Sequence, residues 1–143
     1  MSVQSYSHTI QAKPFAKEFV RKLKDSGYPI GLVTTNKRIL YESCLKNNGM
    51  WEYFDSALDV NDLNTSKKEP TCYKIMAERL KADISSTIVF EDILTAVKTC
   101  KIAGFRTVAV KDDASKKDLA AILSFADYYL ESYREFLPLE FKR

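Results

Sequence analysis

Three polar groupings in this sequence carry the residue types that handle a phosphoryl group. The run Pro29–Thr35 (PIGLVTT) leads into Thr34-Thr35-Asn36, Lys67 lies in a polar stretch before Pro70, and the run Thr87–Phe90 ends in Glu91-Asp92. Hydroxyl and backbone N–H groups at the start of a helix hydrogen-bond phosphate oxygens. A lysine offsets the charge of a phosphate or of an acidic nucleophile. Paired carboxylates hold Mg²⁺, which takes one or two carboxylates together with water and substrate oxygens. Each grouping alone has an ordinary reading: a helix N-cap, a solvated loop lysine, an acidic pair capping the next helix. The order hydroxyl, lysine, carboxylates is what makes them a set.

The elements that must position these residues alternate along the chain. Pro14–Ser26 has a helical period through Phe15, Phe19, Val20 and Leu23 and stops at Gly27. Pro29–Thr35 reads as a strand buried on both faces of a parallel sheet. A helix over Lys37–Asn48 ends at Asn48-Gly49, and a short strand lies around Ser56–Leu58. Asn61–Glu69 is loop-like, Pro70 suits the first turn of a helix over Thr71–Lys81, and Thr87–Phe90 is the next buried strand. A helix over Ile93–Ala103 ends at Gly104, followed by a strand over Phe105–Val110, a helix over Ser115–Phe125 and an edge strand over Tyr128–Leu130. Strands alternating with helices give a three-layer α/β/α, Rossmann-like domain with a mainly parallel sheet. Such sheets collect ligands at the carboxyl ends of their strands, where Thr34, Glu91 and Asp92 fall. No linker or internal repeat divides the chain, so residues 1–143 read as one domain.

Composition narrows the function classes. Apolar residues make up 45% and charged residues 29%, an ordinary globular balance. The net charge of +3 carries no basic block beyond pairs such as Lys67-Lys68 and Lys116-Lys117, so nucleic acid is not an expected partner. There is no apolar run of about 18 residues for a membrane span and no signal-peptide pattern in Met1–Thr9, which gives a cytoplasmic expectation. Cys44, Cys72 and Cys100 are too widely spaced for a metal cluster and read as free, buried thiols. The only histidine, His8, stands in a polar stretch, so histidine-based triads are excluded.

The segments GLVTTNKR, KKEPTCY and IVFEDILTAVKTCKIAGF resemble motifs II, III and IV of the haloacid-dehalogenase superfamily, subfamily I, in the style of β-phosphoglucomutase and small-metabolite phosphatases. The resemblance runs from about Lys13 to Val110. It implies Mg²⁺-dependent phosphate-ester hydrolysis or phosphoryl transfer on a small phosphorylated metabolite. By resemblance, Thr34 matches the phosphate-binding Ser/Thr and Lys67, set before Pro70, the motif III lysine, with Lys68 the alternative. Thr34 and Lys67 thus stand in the catalytic set. Asp92 with Glu91 matches the metal carboxylates, and Thr35, Asn36 and Lys37 flank the phosphate site. Ile93 and Ala96 depart from the usual small hydroxyl residue and glycine.

The family's first motif, a strand followed by Asp-x-Asp-Gly, is not found before Thr34, where the acidic residues are Glu18 and Asp25 on the first predicted helix. Asp59, Asp62, Asp112 and Asp113 lack that context. Covalent catalysis needs the first aspartate as nucleophile, and the second serves as acid and base. The expectation is therefore a chain inactive by itself or truncated, without the motif I strand and the cap domain. A sheet lacking that central strand leaves two edges unpaired. Val3–Ile10 filling the slot, or a homodimer donating a strand, would complete it. The alternative function is a non-catalytic phosphate-, metal- or protein-binding relative. A receiver-like signalling domain needs its acidic cluster first and fits the order less well. The aromatic tail, Tyr129–Arg143, is expected to pack on the sheet.

Overall fold

The computed structural model describes residues 2–4, as backbone, and 13–138. His8 lies outside the described residues, as do positions 5–10 of the suggested filler and the tail beyond Pro138. Six strands form one sheet: β1 (Ser2–Gln4), β2 (Gly31–Thr34), β3 (Ser56–Asp59), β4 (Ile88–Glu91), β5 (Arg106–Val110) and β6 (Tyr128–Leu130), in the order β3-β2-β1-β4-β5-β6. Every pairing is parallel. The helices are α1 (Ala16–Asp25), α2 (Arg38–Asn47), α3 (Thr71–Arg79), α4 (Leu94–Ala103) and α5 (Leu119–Phe125).

Strand alternation divides the core between the two faces of the sheet. Leu32, Phe90, Val108 and Val110 pack with Phe19, Val20 and Leu23 of α1 and Tyr41, Cys44 and Leu45 of α2. Val33 and Val89 point the other way, against Cys72, Tyr73 and Met76 of α3 and Ala96 and Cys100 of α4. Ala109 meets Ile122 of α5 on that second side, with Val97 of α4. The result is the expected three-layer α/β/α arrangement. β2 is buried at all four positions, which explains its apolar run. Gly31 is required there: a Cβ would come within 2.3 Å of Met76 Sδ. Gly104 closes α4 in the left-handed region, at φ 98°.

The expected gap at the centre of the sheet is not present. β1 occupies it, pairing Ser2, Val3 and Gln4 with Gly31, Leu32 and Val33, and Ser2 with Val89 of β4. Parallel pairing needs only backbone N–H and C=O groups, so a three-residue polar strand satisfies both edges without an apolar signature. The reason for a strand donated by a second copy therefore falls away.

One smaller difference lies in the fifth helix. The segment expected to be helical from Ser115 starts as a 3-10 turn, Asp113–Asp118, and becomes α-helical at Leu119. The tail packs as far as it is described: Tyr133, 1% exposed, stacks on Phe19 at 5.1 Å, with Phe136 also on that ring at 5.5 Å. All three cysteines are free and buried.

Candidate functional site

The site is built on the carboxyl ends of β2 and β4. Ser2 lies level with both Gly31 and Val89, so three residues further along each strand direction Thr34 and Asp92 come level with one another. With β1 between them, their backbones stand about 10 Å apart, twice the spacing of neighbouring strands.

On the β2 side, Thr34 is fully buried and its Oγ1 accepts the Asn36 N–H at 3.0 Å. The hydroxyl hydrogen remains to be donated. Thr35 and Lys37 are exposed and Asn36 half-buried, on the turn that starts the ten-residue helix α2 with Lys37 at its N-cap. Asn61 ties this turn to β3, its Nδ2 donating to the Thr35 carbonyl at 2.9 Å and to Asp59 Oδ1 at 3.1 Å. Thr34 Oγ1 is thus tied to the turn that leads into α2, and backbone N–H groups at the start of a helix suit phosphate oxygens.

On the β4 side the site is ionic. Lys67, 6% exposed, places its Nζ 2.9 Å from Glu91 Oε2. Lys68 is exposed, so the structure separates the two lysines and brings Lys67 to the carboxylates. The Tyr73 hydroxyl donates to the same Glu91 oxygen at 2.6 Å. Burial, reinforced by the Glu91 charge, raises the Tyr73 pKa well above its ordinary value, which keeps that donor protonated. Both contacts converge on Oε2 and leave Glu91 Oε1 buried without a hydrogen-bond partner; Asp92 Oδ1 is in the same condition. A buried carboxylate oxygen without a donor is costly and marks a place for a cation.

Asp92 belongs to a second cluster. Lys13, just before α1, sets its Nζ 3.6 Å from Asp92 Oδ2 and 2.8 Å from Asp112 Oδ2. Burial, the hydrogen bond with Asp112 and the Glu91 charge push the Asp92 pKa up, against Lys13. Asp112 is held low by the hydrogen bond from Asp92, with Lys13 and the Ala114 N–H assisting against burial. Of the two carboxyls, Asp92 is therefore the weaker acid and Asp112 the stronger.

The donor set fits a hard divalent cation in part. Glu91 and Asp92 each offer an unpartnered buried oxygen, the number of carboxylates Mg²⁺ takes beside phosphate and water. Among the described residues no group of three or more His, Cys, Asp or Glu is placed to hold a metal. A cation held here would take one oxygen from Glu91 at the end of β4 and one from Asp92 just after it, with the rest of its shell left to substrate and solvent.

Residues 2–110 match the family model for haloacid dehalogenase-like hydrolases. The chain belongs to that family. It is 31% identical over 123 residues to the pyrophosphatase PpaX of Bacillus mycoides, covering 85% of this chain and 56% of that protein. It is 30% identical over 102 residues to the bifunctional riboflavin kinase/FMN phosphatase of Arabidopsis thaliana, covering 71% of this chain and 27% of that one. The fold superposes on the crystal structure of a dehalogenase with a TM-score of 0.80 at 22% identity, over 93% of this chain and 58% of the other. The chain thus spans about half or less of the length of the curated relatives it matches. No described helix is long and apolar enough to cross a membrane.

Sequence reasoning missed three participants. Tyr73 was legible only as a member of the apolar face of α3, and nothing in its spacing marks the Glu91 contact. Asp112 follows β5 at a strand carboxyl end, a position that could have drawn attention to it. Lys13 carries no local signal.

Proposed function

We propose that this chain acts as one α/β unit that binds a small phosphorylated metabolite at the carboxyl ends of β2 and β4 without turning it over through an aspartyl-phosphate. Thr34, Thr35, Asn36 and Lys37 contact the phosphate, and Lys67 holds Glu91 in place while contributing positive charge beside it. Asp92 and Glu91 would hold Mg²⁺, whose part is to neutralise phosphoryl oxygens; Mg²⁺ use is general among phosphatases of this family. The observation that carries this reading is the fixed carboxylate of Glu91, with Lys67 and Tyr73 on one oxygen and the other left open toward a cation.

The names of the relatives point to phosphate compounds of small size, a pyrophosphatase and an FMN phosphatase, and support this substrate class. Phosphate contacts and a cation position and polarise a substrate, but the covalent step also needs a carboxylate nucleophile. β1 reads Ser-Val-Gln, and the next acidic residue in the chain is Glu18, exposed on α1. Incubation with p-nitrophenyl phosphate and Mg²⁺ tests the proposal. The expected result is release of p-nitrophenol at the background rate. Robust turnover abolished by Asp92→Asn would refute a binding-only function.

A further inference from the structure

We propose that Lys13 sets how tightly the carboxylates at the end of β4 hold a divalent cation: its ammonium is the resident counter-charge of Asp92 and Asp112, and a divalent ion gains full use of Asp92 only by displacing it. This rests on the reading of Glu91 and Asp92 as a cation site.

The ammonium of a lysine has three hydrogens to donate. Those of Lys13 have two acceptors at hydrogen-bond distance, Asp112 Oδ2 at 2.8 Å and the Lys111 carbonyl at 3.3 Å, and Asp92 Oδ2 stands at an ion-pair distance of 3.6 Å. The side chain is 24% exposed, so the ammonium is held within the cluster instead of reaching into solvent. Asp112 is prepared for it. Its Oδ1 accepts the Ala114 N–H at 2.9 Å at the start of the 3-10 turn, which turns Oδ2 toward Lys13. The charges divide accordingly: Lys67 answers Glu91, and Lys13 answers Asp92 with Asp112.

A divalent ion on Glu91 Oε1 and Asp92 Oδ1 would stand close to this ammonium in a partly buried setting, where like charges repel more strongly than in water. The unequal distances, 2.8 Å against 3.6 Å, indicate how the conflict resolves. Lys13 keeps Asp112 and the Lys111 carbonyl and gives up Asp92. Lys13 therefore weakens metal binding without preventing it, and the wild-type site holds a divalent ion less tightly than its two open carboxylate oxygens would otherwise allow.

The test is titration with Mn²⁺ alone at pH 7.5, reading free Mn²⁺ by electron paramagnetic resonance, for the wild type, Lys13→Gln and Lys116→Gln. Lys116 lines the cavity beside Asp112 without an ion pair to Asp92 and so controls for net charge. Thermal melts establish that each variant is folded. The expected result is Mn²⁺ binding at least about tenfold tighter in Lys13→Gln, with less than about a twofold change in Lys116→Gln. Adding Asp92→Asn to Lys13→Gln removes the gain. Equal affinity in the wild type and Lys13→Gln, or an equal gain from Lys116→Gln, overturns the role of Lys13 and leaves the cation site standing. No binding by either the wild type or Lys13→Gln overturns the cation site and this inference with it.

Discussion

The pair formed by Lys67 and Glu91 is the most exacting point of the structure, because both charges are removed from water. Their side chains are 7% and 2% exposed and their charged atoms are 2.9 Å apart. Replacing Lys67 by Met leaves Glu91 buried with the hydrogen bond from the Tyr73 hydroxyl, a loss of about 3–5 kcal/mol for breaking one side of a buried pair. Glu91→Gln removes the carboxylate that faces the buried lysine and should also destabilise the fold. The double variant removes both charges and keeps an amide for Tyr73, so most of the loss should be recovered. We expect a coupling energy above about 2 kcal/mol, within the range seen for residues in direct contact. Urea unfolding followed by circular dichroism measures all four proteins. For a chain of this size each kcal/mol moves the melting temperature by about 3–4 °C, so the single variants should melt about 10–20 °C below the wild type. A double variant as unstable as the sum of the singles would refute the pairing argument.

Three further outcomes follow from individual contacts. Tyr73→Phe removes a buried hydrogen bond to a charged group and should destabilise by about 1.5–3 kcal/mol in the same unfolding assay, with the circular dichroism spectrum of the folded state unchanged. Gly31→Ala pushes a methyl group into Met76 and Leu80 and should cost about 1–3 kcal/mol, and Met76→Ala in the same chain should recover part of it. Burial works to raise the Asp55 carboxyl, but Lys24 and the Ile30 N–H outweigh it and hold the pKa below the ordinary value. A depressed folded pKa gives stability that is present above the unfolded pKa and lost as the pH falls through the folded one. Asp55→Asn should therefore lower stability by about 1 kcal/mol at pH 7, through loss of the carboxylate charge that the Ile30 N–H and Lys24 face, since the amide oxygen still accepts from Ile30 and the Lys24 pair is solvent-screened. The deficit should vanish at pH values below both pKa values, as melts across the acid range would show.

Much of the architecture was legible because burial on both faces leaves an unmistakable trace. β2, β4 and β5 are apolar runs for that reason, and α1 and α4 show their periods and end at glycines in the left-handed region, Gly27 and Gly104. Thr34, Lys67, Glu91 and Asp92 stood out through their places at strand ends or before a proline. β1 did not: three residues are too few for a period, and what places it is its backbone pairing with β2 and β4. The site's supporting contacts were equally hidden. Tyr73 looks like one more core residue until its hydroxyl meets Glu91, and Lys13 is 99 residues from Asp112 along the chain. Contacts of that kind belong to the packing of the layers and leave no pattern in local sequence.

The central claim is that Thr34 and the residues beginning α2 form an anion site opposite Asp92, and titration with inorganic phosphate followed by ³¹P NMR tests it most directly. Saturable binding is expected, tightening with Mg²⁺, weakening in Thr34→Val and losing its Mg²⁺ dependence in Asp92→Asn. Absence of saturable binding in the folded wild type, or an affinity unaffected by Thr34→Val, would contradict it.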